Sequence, residues 1–168
     1  EYWSKTTQID PERPEGVVKL LDYFYDKDNH FMVHCIYQQV STKIKYNDHN
    51  KLFFDKSTYF KPEYFHSISA FYVNEKKHGY DSLIYLIKNR VFLGISFHNL
   101  KFYTDLLNND KQNANEAFQI LNTHIHETNN SEHTTLWNHL LSLQKSPSKQ
   151  IKKRNSQTPV VMITFTTC

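Results

Sequence analysis

The densest set of side chains able to bind a metal or move a proton is His124, His126 and Glu127, followed by His133 and His139. A zinc site on a helix needs ligands at i and i+4, where they share one face. The spacings His124/His126 and His133/His139 both miss that register, so these histidines read as exposed groups on polar helix faces. Cys35 adjoins His34. A thiolate nucleophile needs its base within hydrogen-bond reach, and adjacent strand residues point to opposite faces. Cys35 therefore reads as a small core residue and His34 as a surface-facing contact. There is no glycine-rich phosphate loop, no Gly-x-Ser-x-Gly elbow and no suggestive carboxylate pair. Asp26 and Asp28 suit a turn, and Asn129 to Ser131 form a glycosylation acceptor that matters only in a secreted chain. The expectation is a non-enzyme with no catalytic residue, no metal ligand and no cofactor.

Residues suited to binding are more plentiful. Lys149, Lys152, Lys153 and Arg154 form a basic stretch that could touch phosphates or an acidic surface. Aromatics gather at Tyr23 and Tyr25, at Tyr37, and at Tyr59, Phe60, Tyr64 and Phe65. Most of these must fill a core, although a loop Tyr beside an acid could help cage a methylated lysine.

The elements that would position these residues read as strands. Aromatics make up 15% of the chain, with 12 Phe and 11 Tyr against only 3 Gly, and such residues favour pleated surfaces. Asn and Asp must then supply the turns. Residues 1–16 read as an extended leading segment. Val17 to Tyr25 and Phe31 to Val40, joined across Asp26–Asn29, read as a hairpin, with Phe31, Val33, Cys35 and Tyr37 alternating against their neighbours. Further short strands are expected at Leu52–Phe54, Ser67–Val73, Leu83–Leu86 and Arg90–Phe97, with a loop at Lys76–Gly79. Helical spacing appears only later, at Ala114, Phe118, Ile120, Leu121 and Ile125, and again at Leu136, Trp137, Leu140 and Leu141 after a Ser131 N-cap. The expected fold is mainly β, a small distorted barrel over residues 1–100 with a helical extension over 101–145. A basic mobile linker (146–158) and a possible returning strand (159–168) would follow.

A formal net charge of +3 permits nucleic-acid contact without demanding it. Cys35 and Cys168 lie far apart with no framework spacing, which points to a reducing compartment. No apolar run is long enough for a membrane span. The chain starts at Glu1, as a piece of a longer protein would.

Residues 8–97 resemble a BAH (bromo-adjacent homology) domain. Val17 to Asp26 looks like the strand that opens that family's core, and Phe31 to Tyr37 like the next one. Lys51 to Asp55 and Tyr64 to Val73 look like its later strands. The resemblance implies a β-rich barrel on a nuclear chromatin protein that binds histones, nucleosomes or another complex subunit. Gly16 and Cys35 fall where methyl-lysine readers carry cage aromatics, and only Phe54 and Asp55 keep suitable character. Partner binding through Tyr23, Tyr25, His34, Tyr37, Phe54 and Asp55 is therefore expected instead. No small-molecule substrate is expected, and DNA is a possible further partner. Two alternatives stand beside this reading. One is a nucleic-acid-binding accessory subunit on a small barrel, and the other is a His-rich metal protein or enzyme.

Overall fold

A computed structural model describes Lys5, residues 13–44 and residues 56–128, together with Thr134, Thr135, Trp137, Asn138, Leu141 and Ser142. Among these residues the fold is all-helical and contains no strand, so the expected β-barrel is not what the chain builds.

Residues 17–40 show why. Helix α1, Pro14–Tyr25, begins with Pro at a position that needs no N–H donor and carries Glu15 in its first turn. Its buried residues Pro14, Val17, Val18 and Leu21 recur at i, i+3, i+4 and i+7, one stripe of a helix. Helix α2, His30–Val40, is capped by the Asn29 side chain, which accepts from the Met32 N–H at 3.1 Å. Val33 is fully buried, and Ile36 and Val40 pack on the same core at helical spacing. The residues expected to share a strand face are split: Phe31 is 64% exposed while Val33 is 0%. A run this rich in apolar residues satisfies both periods, and packing against the later helices selects the 3.6-residue one.

A 3-10 turn, Lys56–Phe60, leads into α3, Lys61–Tyr72, and then α4, Lys76–Lys88. Then follow α5, Leu93–Leu100, α6, Thr104–Asn109, and α7, Lys111–Thr128, with a 3-10 turn at Lys101–Tyr103 before α6, and Lys5 and the described residues from Thr134 to Ser142 are helical too. The expected strands at Ser67–Val73, Leu83–Leu86 and Arg90–Phe97 thus lie in or beside helices, and the expected loop at Lys76–Gly79 is the first turn of α4. The helical stretch expected around Ala114 to Ile125 is α7. Ser131, Leu52–Phe54, the basic segment and the possible returning strand lie outside the described residues.

Three helix ends share one closing device. Asp28, Asn74 and Arg90 adopt left-handed φ values of 53°, 66° and 56°. The following N–H then reaches back across the turn: Asn29 to the Phe24 carbonyl (2.9 Å), Glu75 to Ala70 (2.8 Å) and Val91 to Leu86 (3.1 Å). These are Schellman caps made without glycine. Asn and Asp tolerate the left-handed region, and this is how a chain with 3 Gly turns its corners. The short corners make α1/α2 and α3/α4 antiparallel helix pairs.

Helix α4 is the centre of the molecule. Gly79, Tyr80, Ser82, Leu83, Ile84, Leu86 and Ile87 are all buried, so it is enclosed on nearly every side. Leu86 belongs to the core shared with α1, α2 and the first 3-10 turn. Leu83, Ile84 and Ile87 belong to the core shared with α5, α6 and α7. The α3–α4 contact is the most extensive between any two helices, and within it a Cβ on Gly79 would come to 3.1 Å from the Ala70 Cβ. A Cβ at that position would overlap the Tyr103 hydroxyl, which donates to the Ser67 carbonyl at 2.5 Å.

Candidate functional site

Two faces of α3 carry the features suited to function. The first is a polar seam between α2, α3 and α4. Helical spacing places His34 and Tyr37 on one side of α2, Glu63 and His66 on one side of α3, and His78, Asp81, Ser82 and Tyr85 on one side of α4. His34 Nδ1 lies 3.1 Å from His66 Nε2, and His66 Nδ1 lies 2.8 Å from Ser82 Oγ. Ser82 in turn donates to the Tyr37 hydroxyl at 3.3 Å. The Tyr37 ring stacks on His66 with centroids 3.7 Å apart and planes 10° from parallel.

Burial sets the protonation of this seam. It holds His66 down to about 3, helped by the charges His34 and His78 would carry. His66 is therefore neutral, accepting through one ring nitrogen and donating through the other, so the hydrogens of the relay all point one way. Burial, then the nearby Glu63, pushes Tyr37 up to about 12. Burial also raises Glu63 to about 7, against a smaller opposing effect of its own backbone N–H. The seam opens to a cleft of about 290 Å³ lined by Glu63, His66, Ser82 and both tyrosines.

Ser82 and His66 have the contact of a nucleophile and its base, yet the geometry argues against that role. Ser82 is 4% exposed, and its hydroxyl is committed to both His66 and Tyr37. Nor does the seam form a metal centre. No group of three or more His, Cys, Asp or Glu among the described residues is placed to hold an ion. His34 and His66 bond each other instead of converging on a common point.

The second feature is an aromatic groove on another side of α3. Tyr64, Ile68, Phe71 and Tyr72 lie along it at helical spacing. Tyr25 from α1 and Ile95 from α5 complete its middle, where two adjoining hollows of about 510 and 280 Å³ share Tyr25, Tyr64 and Ile95. Tyr72 (66% exposed) and Phe102 (51%) stand open at one end. Glu15, Lys19, Asp22, Asp26 and Lys61 rim the other. Asn99 Nδ2, in the wall, is buried and has no hydrogen-bond partner.

The residues expected to bind a partner are thus scattered. Tyr25 lies in the groove, between Phe65 at 5.2 Å and His30 at 5.8 Å. Tyr23 points away, paired with Lys27, whose Nζ donates to its hydroxyl at 2.8 Å. His34 and Tyr37 are both half-buried in the polar seam, each against His66. Phe54, Asp55, Lys149, Lys152, Lys153 and Arg154 lie outside the described residues, as do His133 and His139. Cys35 is partly buried and free. His124 stacks on Phe97 at 6.1 Å. Sequence reasoning passed over Glu63, His66, Ser82 and Asn99. The signal that finds them is polar residues at i, i+3 and i+4 within otherwise apolar helices, legible only once the helical period is adopted.

Fold and site together define an all-helical protein with an open aromatic groove and a separate polar cleft. No family model, curated protein or solved structure matches the chain, and nothing in those comparisons bears on the BAH resemblance. No helix among the described residues is long and apolar enough to cross a membrane.

Proposed function

We propose that this chain is a partner-binding helical module that receives a peptide segment of another protein along the groove over α3. The observation that supports it is the continuity of that groove, running from Tyr72 and Phe102 past Ile95 and Tyr25 to the charged rim. Exposed aromatic side chains lining a concave apolar surface are what peptide anchors fill. The unpartnered Asn99 amide adds specificity, since a backbone carbonyl of an incoming chain would satisfy it. The expectation of a histone or other nuclear partner drew on a barrel that these residues do not build, so the proposal keeps a protein partner without that identity.

Selection of a displayed random-peptide library on the protein tests this. Enriched peptides should carry aromatic or large aliphatic anchors, and Tyr72→Ser with Phe102→Ser should weaken them at least about tenfold. Asn99→Ala should weaken them by a smaller factor. Peptides that bind the double variant undiminished, or a library with no enrichment, would remove the groove from consideration.

A further inference from the structure

We infer that the cleft between α2, α3 and α4 is a binding site for a small organic amine, with the Glu63 carboxylate as its counter-charge. This goes beyond the groove, which lies on another side of α3.

Three observations carry it. Glu63 lines the cleft, and its Oε2 is buried with no hydrogen-bond partner, so the protein itself leaves this carboxylate unsatisfied. A buried acceptor in that state costs free energy that an N–H donor recovers. The lining is also rich in acceptors. Tyr37, Gln38, Asp81 and Tyr85 bring oxygens to the space, and neither Lys nor Arg lines it. Lys77, the nearest cation to Asp81, is held by it at 2.5 Å, and His78 is held by Glu75 at 3.2 Å, so neither reaches Glu63 as its partner. Finally, about 290 Å³ is at the low end for ligand pockets, which selects a compact ligand. Tyr85 also lines the cleft, and an aromatic ring attracts an ammonium group by cation–π interaction.

The titratable groups facing Glu63 are Tyr37 from α2, His66 from its own helix, and His78, Asp81 and Tyr85 from α4. At neutral pH His66 and the tyrosines are uncharged. Empty, Glu63 is half protonated near pH 7. An ammonium beside it favours the ionised form, so binding near neutrality releases a fraction of a proton from Glu63 to buffer.

The test titrates the full chain by calorimetry with 1,4-diaminobutane, tetramethylammonium and the neutral 1,4-butanediol, at pH 7 in two buffers of different ionisation heat. Saturable binding of one diaminobutane, with heat that depends on the buffer, is expected, together with weaker tetramethylammonium binding and none of the diol. Glu63→Gln should weaken diaminobutane at least about tenfold and abolish the buffer dependence. In the unaltered protein, the Glu63 carboxyl carbon signal should titrate near neutrality and move to lower pH with saturating diaminobutane. That measurement needs no variant to fold. The proposal is overturned by no saturable amine binding up to about 10 mM, well above a millimolar dissociation constant. It is equally overturned by diaminobutane binding that Glu63→Gln leaves unchanged, by the diol binding as tightly, or by a Glu63 signal that ignores the amine.

Discussion

His66 and Glu63 sit one helical turn apart, and burial acts on them in opposite senses. A histidine held at about 3 when folded, against an ordinary 6.5, binds fewer protons folded than unfolded. Its contribution is lost as pH falls below about 6.5 towards 3. A carboxyl raised to about 7 from 4.5 binds more protons folded than unfolded, so stability falls as pH rises from 4.5 through 7. Between pH 4.5 and 6.5 the two slopes oppose each other, and unfolding free energy should be nearly flat. Glu63→Gln removes one slope. Urea unfolding of that variant should show a gain over the unaltered protein at pH 8 of up to roughly 3 kcal/mol. No such gain should appear at pH 4. An equal change at both pH values would mean that ionisation of Glu63 is not what matters there.

Among the elements, the corners and the α3–α4 contact carry the sharpest expectations. Arg90 closes α4 in a left-handed conformation that costs an ordinary residue about 1–2 kcal/mol, and glycine avoids this at a smaller entropic loss. Arg90→Gly should therefore raise stability by about 0.5–1 kcal/mol in thermal unfolding. Asn74→Gly should change it less, because Asn already tolerates that region. Gly79 is the opposite case. Its φ is ordinary, but a side chain there meets the Tyr103 hydroxyl and the Ala70 Cβ at 3.1 Å. Gly79→Ala should cost about 1–3 kcal/mol, and Tyr103→Phe in the same chain should restore part of it by removing the clashing oxygen. An additive double variant would place the strain elsewhere.

The molecule as a whole is tied together through α4, which contributes to both apolar cores. Leu86, fully buried against α1 and α2, and Leu83, fully buried against the later helices, lie less than one turn apart. Leu86→Ala should cost about 2–5 kcal/mol. It should also lower hydrogen-exchange protection in α7 as well as in α1, because loss of either core loosens the helix common to both. Protection lost in α1 and α2 alone would show two independently stable halves.

What the sequence determined by itself is some of its breaks and the presence of its apolar runs. Asp26–Asn29 is a turn and α7 spans the stretch whose spacing is helical, whereas Lys76–Gly79, expected as a loop, is the first turn of α4. The period of the runs before residue 100 was not determined. Val17, Val18, Leu21, Phe24 and Tyr25 are dense enough to fit a strand, and their aromatic and β-branched side chains favour one. Only tertiary packing chose the helix, because only then do Val33 and Leu21 reach the same core while Phe31 turns outward. The candidate sites follow from that choice: His34, His66 and Ser82 come from three helices, and their meeting is a property of helix packing, which no local stretch of chain encodes.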